Sequence, residues 1–422
     1  MTSGGEHAPR RTASVFSAAA LAVVTSLCLL YVVSQFLRNS VGVIAPDLAR
    51  EVGLSAMELG LLSSIFFFMF GVTQIPLGVA LDRFGPRLCM LVCVGFVVLG
   101  CVLFGLAQSA SGLITGRALL GLGCCSFLVA PVALYARWFP PSQFSTLAGV
   151  HLGIGTLGAL FATAPLAFAA ATFGWRETFL GVGALSVLIG LFAWLVVSDD
   201  PPGVKTPRRH ETLREGLAGV WEVIRTPSIG RLFLMQLANY PTFLLVVGLW
   251  GGPYLTHIYG VDLTTRGEIL FVPALAQVVG SLFWGPMDRV FGSYKAPALT
   301  ALGITFLSLL FITVSGNPSM PLLLIAFAGL GFSTGLSSIL MAHGRTLVQP
   351  HLLGRCITLL NIGTMGGGFL VQFVSGAVIG LFPTQDGAYP LDAYRLVFGL
   401  QAAFILVAGW AYFGSKESRT AR

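Results

Sequence analysis

Long apolar stretches alternate with short polar connections along the whole chain. About twelve of the stretches are long enough to cross a membrane, since ~20 helical residues rising ~1.5 Å each span the hydrocarbon. The predicted spans cover residues 15–45, 59–81, 88–107, 111–136, 146–172, 178–198, 231–256, 268–287, 297–315, 321–342, 356–381 and 395–414. The pattern therefore predicts an all-α membrane protein with twelve transmembrane helices.

One extended polar stretch, residues 199–230, separates six predicted spans from six others. It opens with two aspartates and two prolines, and residues 213–224 within it are predicted to be helical. We therefore expect an amino-terminal six-helix bundle over residues 1–198, a cytoplasmic linker over 199–230 and a carboxyl-terminal six-helix bundle over 231–422.

Two internal matches indicate that the second half of the chain repeats the first. Asp82-Arg83 recurs as Asp288-Arg289 at an offset of 206, and residues 154–158 recur as 362–366 at an offset of 208. Chance is a poor explanation for two separate matches with nearly the same offset. The twelve spans are thus predicted to form two six-helix pseudo-repeats.

Composition and charge support a membrane location. The chain is 55% hydrophobic and 10% charged, whereas a soluble domain has ~25% charged residues. Most of the 24 Lys and Arg lie at the termini or in even-numbered connections, which predicts a multi-pass protein of the cell (inner) membrane with both termini in the cytoplasm. This distribution explains the net charge of +7 without a nucleic-acid partner.

The seven cysteines lie in or beside apolar segments and are interpreted as packing residues. They share no metal-ligand spacing with the histidines or methionines. The chain also shows no nucleophile motif and no phosphate-binding loop. We therefore predict no metal site, no cofactor and no enzymatic activity.

The connection after span 2 carries Gly78, Asp82, Arg83, Gly85 and Arg87 in the pattern G-x-x-x-D-R-x-G-x-R. This pattern resembles the signature of the major facilitator superfamily, and the resemblance covers essentially the whole chain. It implies two six-helix halves that rock around a central cavity lined by spans 1, 4, 7 and 10. It also implies that this loop, and Asp82 in particular, latches the cytoplasmic side while the outer side is open.

A second copy of the loop follows span 8, with Asp288 and Arg289 as its charged pair. It has one residue fewer before Asp288 and one more before Gly292 than the first copy, so the geometry of its turn is left open. We include Asp288 and Arg289 in the predicted latch. The alternative for Arg83 and Arg87 is that they only anchor the helix ends at the headgroups.

Two arginines fall inside predicted spans, whereas every Asp and Glu lies near a span end or in a loop. Arg38 in span 1 and Arg117 in span 4 are expected at similar depth, roughly 10 Å outward of the midplane. A charge buried in lipid is costly, so these residues are predicted to bind substrate. Guanidinium groups favour a carboxylate or phosphate. The alternatives are that Arg38 reaches the surface or pairs with Asp47 or Glu51, and that Arg117 is structural.

Further polar residues are expected to reach the cavity, with interhelical hydrogen bonding as the alternative for each: Gln35 and Asn39 in span 1, Asn239 and Tyr240 in span 7, and Asn361 in span 11. His151 in span 5 is the candidate for proton coupling because imidazole titrates near neutral pH. The alternative for His151 is a hydrogen bond to a backbone carbonyl. Pro241 is predicted to break span 7.

These residues predict a secondary active transporter, expected to be monomeric, that moves a small carboxylate-type organic anion through the lipid bilayer by alternating access. Symport with a proton, exchange for a counter-anion and uniport all stay open. Phosphate-exchanging members of the resembled family carry an arginine in span 7 that residues 244–250 lack, which disfavours phosphate esters. Drug or metabolite efflux by proton antiport is the alternative, followed by a non-transporting sensor of the same fold.

Overall fold

A computed structural model of the chain describes residues 18–200, 213–349 and 352–416. Twelve helices within these ranges are long and apolar enough to cross a membrane, as predicted: Ala18–Asn39, Ala56–Phe84, Pro86–Leu106, Ala110–Trp138, Ser142–Phe161, Trp175–Val196, Ile229–Tyr259, Leu263–Trp284, Lys295–Ser315, Met320–Leu347, Leu353–Ile379 and Leu391–Phe413. They are numbered here as spans 1 to 12. The protein is a multi-pass integral membrane protein, and the predicted positions of its termini lie outside the described residues.

Several spans contain a break or continue in a second helix. Span 1 is followed by Val41–Val52 and span 5 by Ala164–Phe173, and spans 4 and 10 restart at Ser126 and Ser337. Outside the spans, a helix covers Leu213–Ile224 in the linker, as predicted, and a short helix covers Met287–Phe291.

The predicted break of span 7 at Pro241 is wrong in position. Pro241 lies inside the helix Ile229–Leu245, and the irregular turn is a π-helix over Val246–Trp250. The Pro241 ring instead packs against Gly367 of span 11, where a Cβ would lie 2.6 Å from the proline Cγ. The missing hydrogen bond at a proline is tolerated within a membrane helix when neighbouring helices support it.

Local sequence explains where span 2 begins and ends. Ser55 and Glu58 form a capping box, in which Ser55 Oγ accepts a 3.3 Å bond from the Glu58 N–H and Ser55 N–H donates to Glu58 Oε2 at 2.9 Å. At the other end Gly85 has φ +89°, which glycine adopts without strain. Pro86 then begins span 3, where its missing N–H costs nothing. The end of the molecule with this connection is called the signature face, and the opposite end the far face.

The two halves contact each other closely at the far face. Span 2 packs along span 11, where a Cβ on Gly60 would lie 2.8 Å from Gly376 Cα. Gly42, beyond span 1, lies against the backbone of Val247 in span 7. Toward the signature face, by contrast, a Cβ on Gly78 or on Gly153 would meet nothing within 4 Å. The halves are therefore closed at the far face and diverge toward the signature face.

The repeated segment has the same packing role in both halves. In span 5, Gly155 lies against the Tyr31 ring of span 1 and Gly158 against the Val32 carbonyl. In span 11, the matching Gly363 lies against Phe233 of span 7. Small residues let membrane helices approach closely, so this segment holds a cavity helix against its neighbour in each half.

Candidate functional site

Arg38 and Arg117 are both buried inside the helix bundle, with exposed fractions of 6% and 0%. Arg38 Cζ lies 5.0 Å from the centre of the Phe70 ring, and Arg117 Cζ lies 4.8 Å from the centre of the Phe66 ring. Phe66 and Phe70 are one turn apart in span 2, and their ring centres are 6.3 Å apart. Span 2 thus supplies two adjacent aromatic faces to the two cations.

The two guanidinium groups also share a neighbour in span 4. The Cys124 side chain lies within electrostatic range of both Arg38 and Arg117. Arg117 Nη1 donates a 2.6 Å hydrogen bond to the Leu37 carbonyl, directly before Arg38. The structure therefore brings together the two arginines that were predicted from separate spans.

No acid among the described residues pairs with either arginine. Asp47 instead contacts Arg50 at 2.8 Å and also Arg266 of span 8, whereas Glu51 accepts hydrogen bonds from Trp175 and Arg176. The alternative pairing of Arg38 with Asp47 or Glu51 is therefore wrong. Within the described chain, Arg38 Nε and both Nε and Nη2 of Arg117 have no hydrogen-bond partner. Two buried cations with unused donors can bind an anion.

Tyr31 is a neighbour of the site that the sequence analysis missed. Its phenol lies within electrostatic range of Arg38 and of Tyr240 in span 7. Tyr31, Ser34, Gln35 and Arg38 are spaced i, i+3, i+4 and i+7, and this spacing places them on one face of span 1. That polar stripe in an otherwise apolar helix is the signal that could have identified Tyr31.

The other predicted polar residues lie in spans 1, 7 and 11. Gln35 is nearly buried, and Asn39 and Asn239 are fully buried. The Asn39 side chain donates to the Gln35 carbonyl at 2.8 Å, and that of Asn239 to the Thr334 carbonyl of span 10 at 3.4 Å. Tyr240 and Asn361 are half-buried. Asn39 directly follows Arg38, and Gln35 precedes it by three residues on span 1. Tyr240 lies within electrostatic range of Tyr31, and no such link is shown for Asn361 within the described residues.

His151 is fully buried, and both its ring nitrogens have protein partners. Nε2 lies 3.1 Å from the Phe127 carbonyl, and Nδ1 lies 3.1 Å from the Tyr135 hydroxyl. Because a carbonyl only accepts, Nε2 carries a proton, and in the neutral ring Nδ1 accepts from Tyr135. The imidazole also stacks on Tyr31, with ring centres 4.8 Å apart. His151 thus supports a neighbour of Arg38, and its role in coupling stays a prediction.

The signature loop is held by the end of span 6. The Arg87 N–H donates to Asp199 Oδ1 at 2.8 Å, and the same carboxylate lies against Gly85. Arg87 Nη2 donates to the Trp194 carbonyl at 2.7 Å. In the second half, Lys295 Nζ donates to the Ser415 carbonyl at the end of span 12 at 3.2 Å. A cation at the start of spans 3 and 9 thus caps the end of spans 6 and 12.

The second copy of the loop has a different turn from the first. Asp288 and Arg289 lie in the short helix Met287–Phe291, which ends at Gly292 with φ +60°. In the first copy, Asp82 and Arg83 belong to the last turn of span 2 itself. The extra residue before Gly292 thus lies within this short helix. The role of both pairs as a latch stays a prediction.

The family model described as Major Facilitator Superfamily matches residues 27–252 of this chain. The chain belongs to the major facilitator superfamily. It is a transporter of this type, and the matched region contains Arg38, Arg117, the signature loop and the π-helix of span 7.

Relatives in this superfamily carry transporter names. The chain is 23% identical over 415 residues to the uncharacterized transporter YybO of Bacillus subtilis, with 90% of each chain covered. It is 22% identical to the D-galactonate transporter of Escherichia coli O6:H1, covering 88% of this chain and 91% of the relative. It is also 27% identical to the probable sulfoacetate transporter SauU of Cupriavidus necator, with 63% and 64% covered.

Solved structures show the same fold at low identity. A bacterial homologue of the lysosomal transporter Spinster, in an inward-facing and unoccupied conformation, superposes with a TM-score of 0.76 at 18% identity, covering 94% of this chain and 97% of the other. The nucleoside transporter NupG superposes with a TM-score of 0.74 at 13% identity, covering 93% of this chain and all of the other. These matches establish the fold of the major facilitator superfamily.

Proposed function

We propose that the protein is a secondary active transporter for a small organic anion of the carboxylate type, with Arg38 and Arg117 as the residues that bind the negative group. The observation that carries the proposal is the pair of buried guanidinium groups with unused donors and no acid partner among the described residues. Burying two unpaired guanidinium groups costs free energy, and such burial is expected where a bound ligand supplies the negative charge.

The relatives and the conformation support the proposal. Relatives named as transporters of galactonate, hexuronate and sulfoacetate all carry anionic compounds by their names. With the signature face in the cytoplasm, as the basic connections predict, the described conformation is inward-facing. Alternating access then requires the far face to open and the signature face to close.

The test is ligand binding by the purified protein, measured as a thermal shift with a panel of small carboxylates and uncharged analogues. Arg38→Gln and Arg117→Gln are each expected to abolish stabilisation by the acid that stabilises the wild type. Arg395→Gln is the control, because that arginine bonds the Thr313 carbonyl in span 9 and is remote from the site. Full stabilisation of both site variants, or stabilisation by uncharged analogues alone, would refute the proposal.

Proton coupling through His151 needs a separate test, because loss of this ring also removes the support of Tyr31. Proteoliposomes with a substrate gradient and a pH-sensitive dye report proton movement directly. We expect His151→Gln to exchange substrate without moving protons. Proton movement at the wild-type ratio to substrate in that variant would exclude His151 as the coupling residue.

A further inference from the structure

Three buried amide side chains in spans 1, 7 and 11 donate to backbone carbonyls, while their own side-chain oxygens accept no hydrogen bond from the described residues. Asn39 lies at the end of the first helix of span 1, Asn239 in span 7 and Gln372 in span 11, and all three are fully buried. Asn39 Oδ1, Asn239 Oδ1 and Gln372 Oε1 accept no hydrogen bond from the described residues. Buried polar atoms are nearly always paired, so three such atoms of one chemical kind need an explanation.

The orientation of each amide is fixed by the backbone. Asn39 Nδ2 donates to the Gln35 carbonyl at 2.8 Å, Asn239 Nδ2 to the Thr334 carbonyl at 3.4 Å, and Gln372 Nε2 to the Leu244 carbonyl at 3.0 Å. A carbonyl can only accept, so the amino group must face it and the amide cannot be flipped. The unsatisfied groups are therefore acceptors in all three cases.

Two of these acceptors, those of Asn39 and Gln372, lie near the far-face closure. Asn39 is adjacent to Arg38 and three residues before Gly42, which packs against Val247 of span 7. Gln372 reaches span 7 at Leu244 and lies beside Gly248, where a Cβ would be 3.3 Å from its Nε2. Asn39 and Gln372 thus approach the far-face closure from spans 1 and 11, whereas Asn239 of span 7 contacts span 10 at Thr334.

We propose that the substrate is a carboxylate that carries several hydroxyl groups, a deepening that rests on the proposed function above. The carboxylate accepts from the unused donors of Arg38 and Arg117, and the hydroxyl groups donate to Asn39, Asn239 and Gln372. Nitrate and unsubstituted fatty acids bring no donor, so they leave these acceptors unsatisfied and bind poorly. A site that hydrogen-bonds a hydroxyl group discriminates strongly against analogues that lack this group. An apolar pocket discriminates much less between ligands that differ by one methylene group.

The experiment compares gluconate with hexanoate, which has the same chain length and charge but no hydroxyl group, by isothermal titration of the purified full-length protein. Nitrate is the third ligand. We expect gluconate to bind at least ~100-fold more tightly than hexanoate in the wild type. Asn239→Leu, which has nearly the same shape, is expected to reduce that ratio by ~10-fold.

Gln401→Leu is the matched control. Its amide also donates to span 7, to the Ala238 carbonyl at 3.1 Å and Thr242 Oγ1 at 2.8 Å, but from span 12. It should leave the gluconate-to-hexanoate ratio unchanged, which separates loss of an acceptor from loss of a helix contact. Equal reduction in both variants would overturn the assignment of Asn239.

Two outcomes separate this inference from the function on which it rests. If hexanoate or nitrate binds as tightly as gluconate and Arg38→Gln abolishes that binding, the hydroxylated class is wrong and the anion site is retained. If none of the three ligands binds while an uncharged polyol does, both the inference and the anion site are wrong.

Discussion

Arg117 Nη1 donates a 2.6 Å hydrogen bond to the backbone carbonyl of Leu37. The helix of span 1 ends at Asn39 and restarts at Val41, so the Leu37 carbonyl is released from the regular helical ladder and also accepts from Ser40 Oγ at 3.0 Å. One arginine of the site therefore fixes the backbone beside the other. The break in span 1 and the buried cation in span 4 stabilise each other.

Arg117→Lys tests whether this geometry matters beyond charge. A lysine keeps the positive charge but cannot hold the Leu37 carbonyl and a carboxylate with one planar group. Loss of a charged hydrogen bond of ~1.5–3 kcal/mol predicts ~10- to 100-fold weaker substrate binding. Titration of the variant measures this directly, with Arg395→Lys as the control. Binding at the wild-type affinity would show that charge alone suffices.

Gly158→Ala is expected to destabilise the amino-terminal half. A Cβ there would overlap the Val32 carbonyl and lie 2.8 Å from Gln35 Cβ, so spans 1 and 5 must separate. Overpacking of this kind costs ~1–3 kcal/mol. Gly153→Ala, where a Cβ meets nothing within 4 Å, is the control in the same span. Melting temperatures in detergent compare the two, and an equal effect in both would contradict the packing argument.

Asp47→Asn is expected to open the far face. Asp47 of the first half contacts Arg266 of the second, whose side chain is 2% exposed and whose Nη1 donates to Thr256 Oγ1 at 2.7 Å. Breaking a buried pair costs ~3–5 kcal/mol, and the lower end applies because Asp47 is a quarter exposed. That cost falls only on the closed state, so the population shifts toward far-face opening.

Spin-label distances between the far-face ends of spans 2 and 11 measure this shift. Asp392→Asn removes an exposed pair with Arg395 within one half, at 3.6 Å, and should leave the distances unchanged. An unchanged distance distribution in Asp47→Asn would show that the ion pair does not hold the closure.

The contact of Glu51 with the start of span 6 predicts a pH-dependent stability. Trp175 Nε1 donates to Glu51 Oε2 at 2.6 Å and Arg176 Nε donates to Oε1 at 2.8 Å. The bond from Trp175, followed by Arg176, lowers the pKa of Glu51 below its ordinary value of 4.5. A lowered pKa contributes stability above pH 4.5 that is lost as the pH falls through the lowered value.

Glu51→Gln should therefore have a lower melting temperature than the wild type at neutral pH, and the difference should disappear as the pH falls below the lowered pKa of Glu51. The effect is expected to be small because the Glu51 carboxylate is half exposed to solvent. If the difference in melting temperature persists unchanged at low pH, it results from the changed shape of the side chain and not from the loss of its charge.

Asp82→Asn and Asp199→Asn separate the two acids of the signature region. Asp199 accepts from the Arg87 N–H in the described, far-face-closed conformation, so its loss should lower stability by ~1 kcal/mol, as for a helix cap. Asp82 is predicted to act when the far face is open, so Asp82→Asn should slow transport with little loss of affinity. Uptake and binding are measured for both variants. Normal uptake by Asp82→Asn would reject the latch.

The sequence was sufficient for the spans, the linker helix and the repeat. Residues 213–224 form the predicted helix, and Gly155 of span 5 and its match Gly363 of span 11 lie against aromatic rings of spans 1 and 7. The exception is span 7, where Pro241 was expected to break the helix and the irregular turn instead begins at Val246. A proline removes one backbone hydrogen bond of the helix, but packing against span 11 decides whether the helix breaks at that position.

The sequence by itself determined the membrane fold and the presence of two costly cations, because hydrophobicity and charge depend on each residue alone and add along a span. It could not assign partners to those charges. Only the tertiary structure paired Asp47 with Arg266, 219 residues away, and left Arg38 and Arg117 together without an acid among the described residues. The physical reason is that tertiary packing decides which groups come within contact distance. Whether a charged group has a partner therefore cannot be seen from that residue alone.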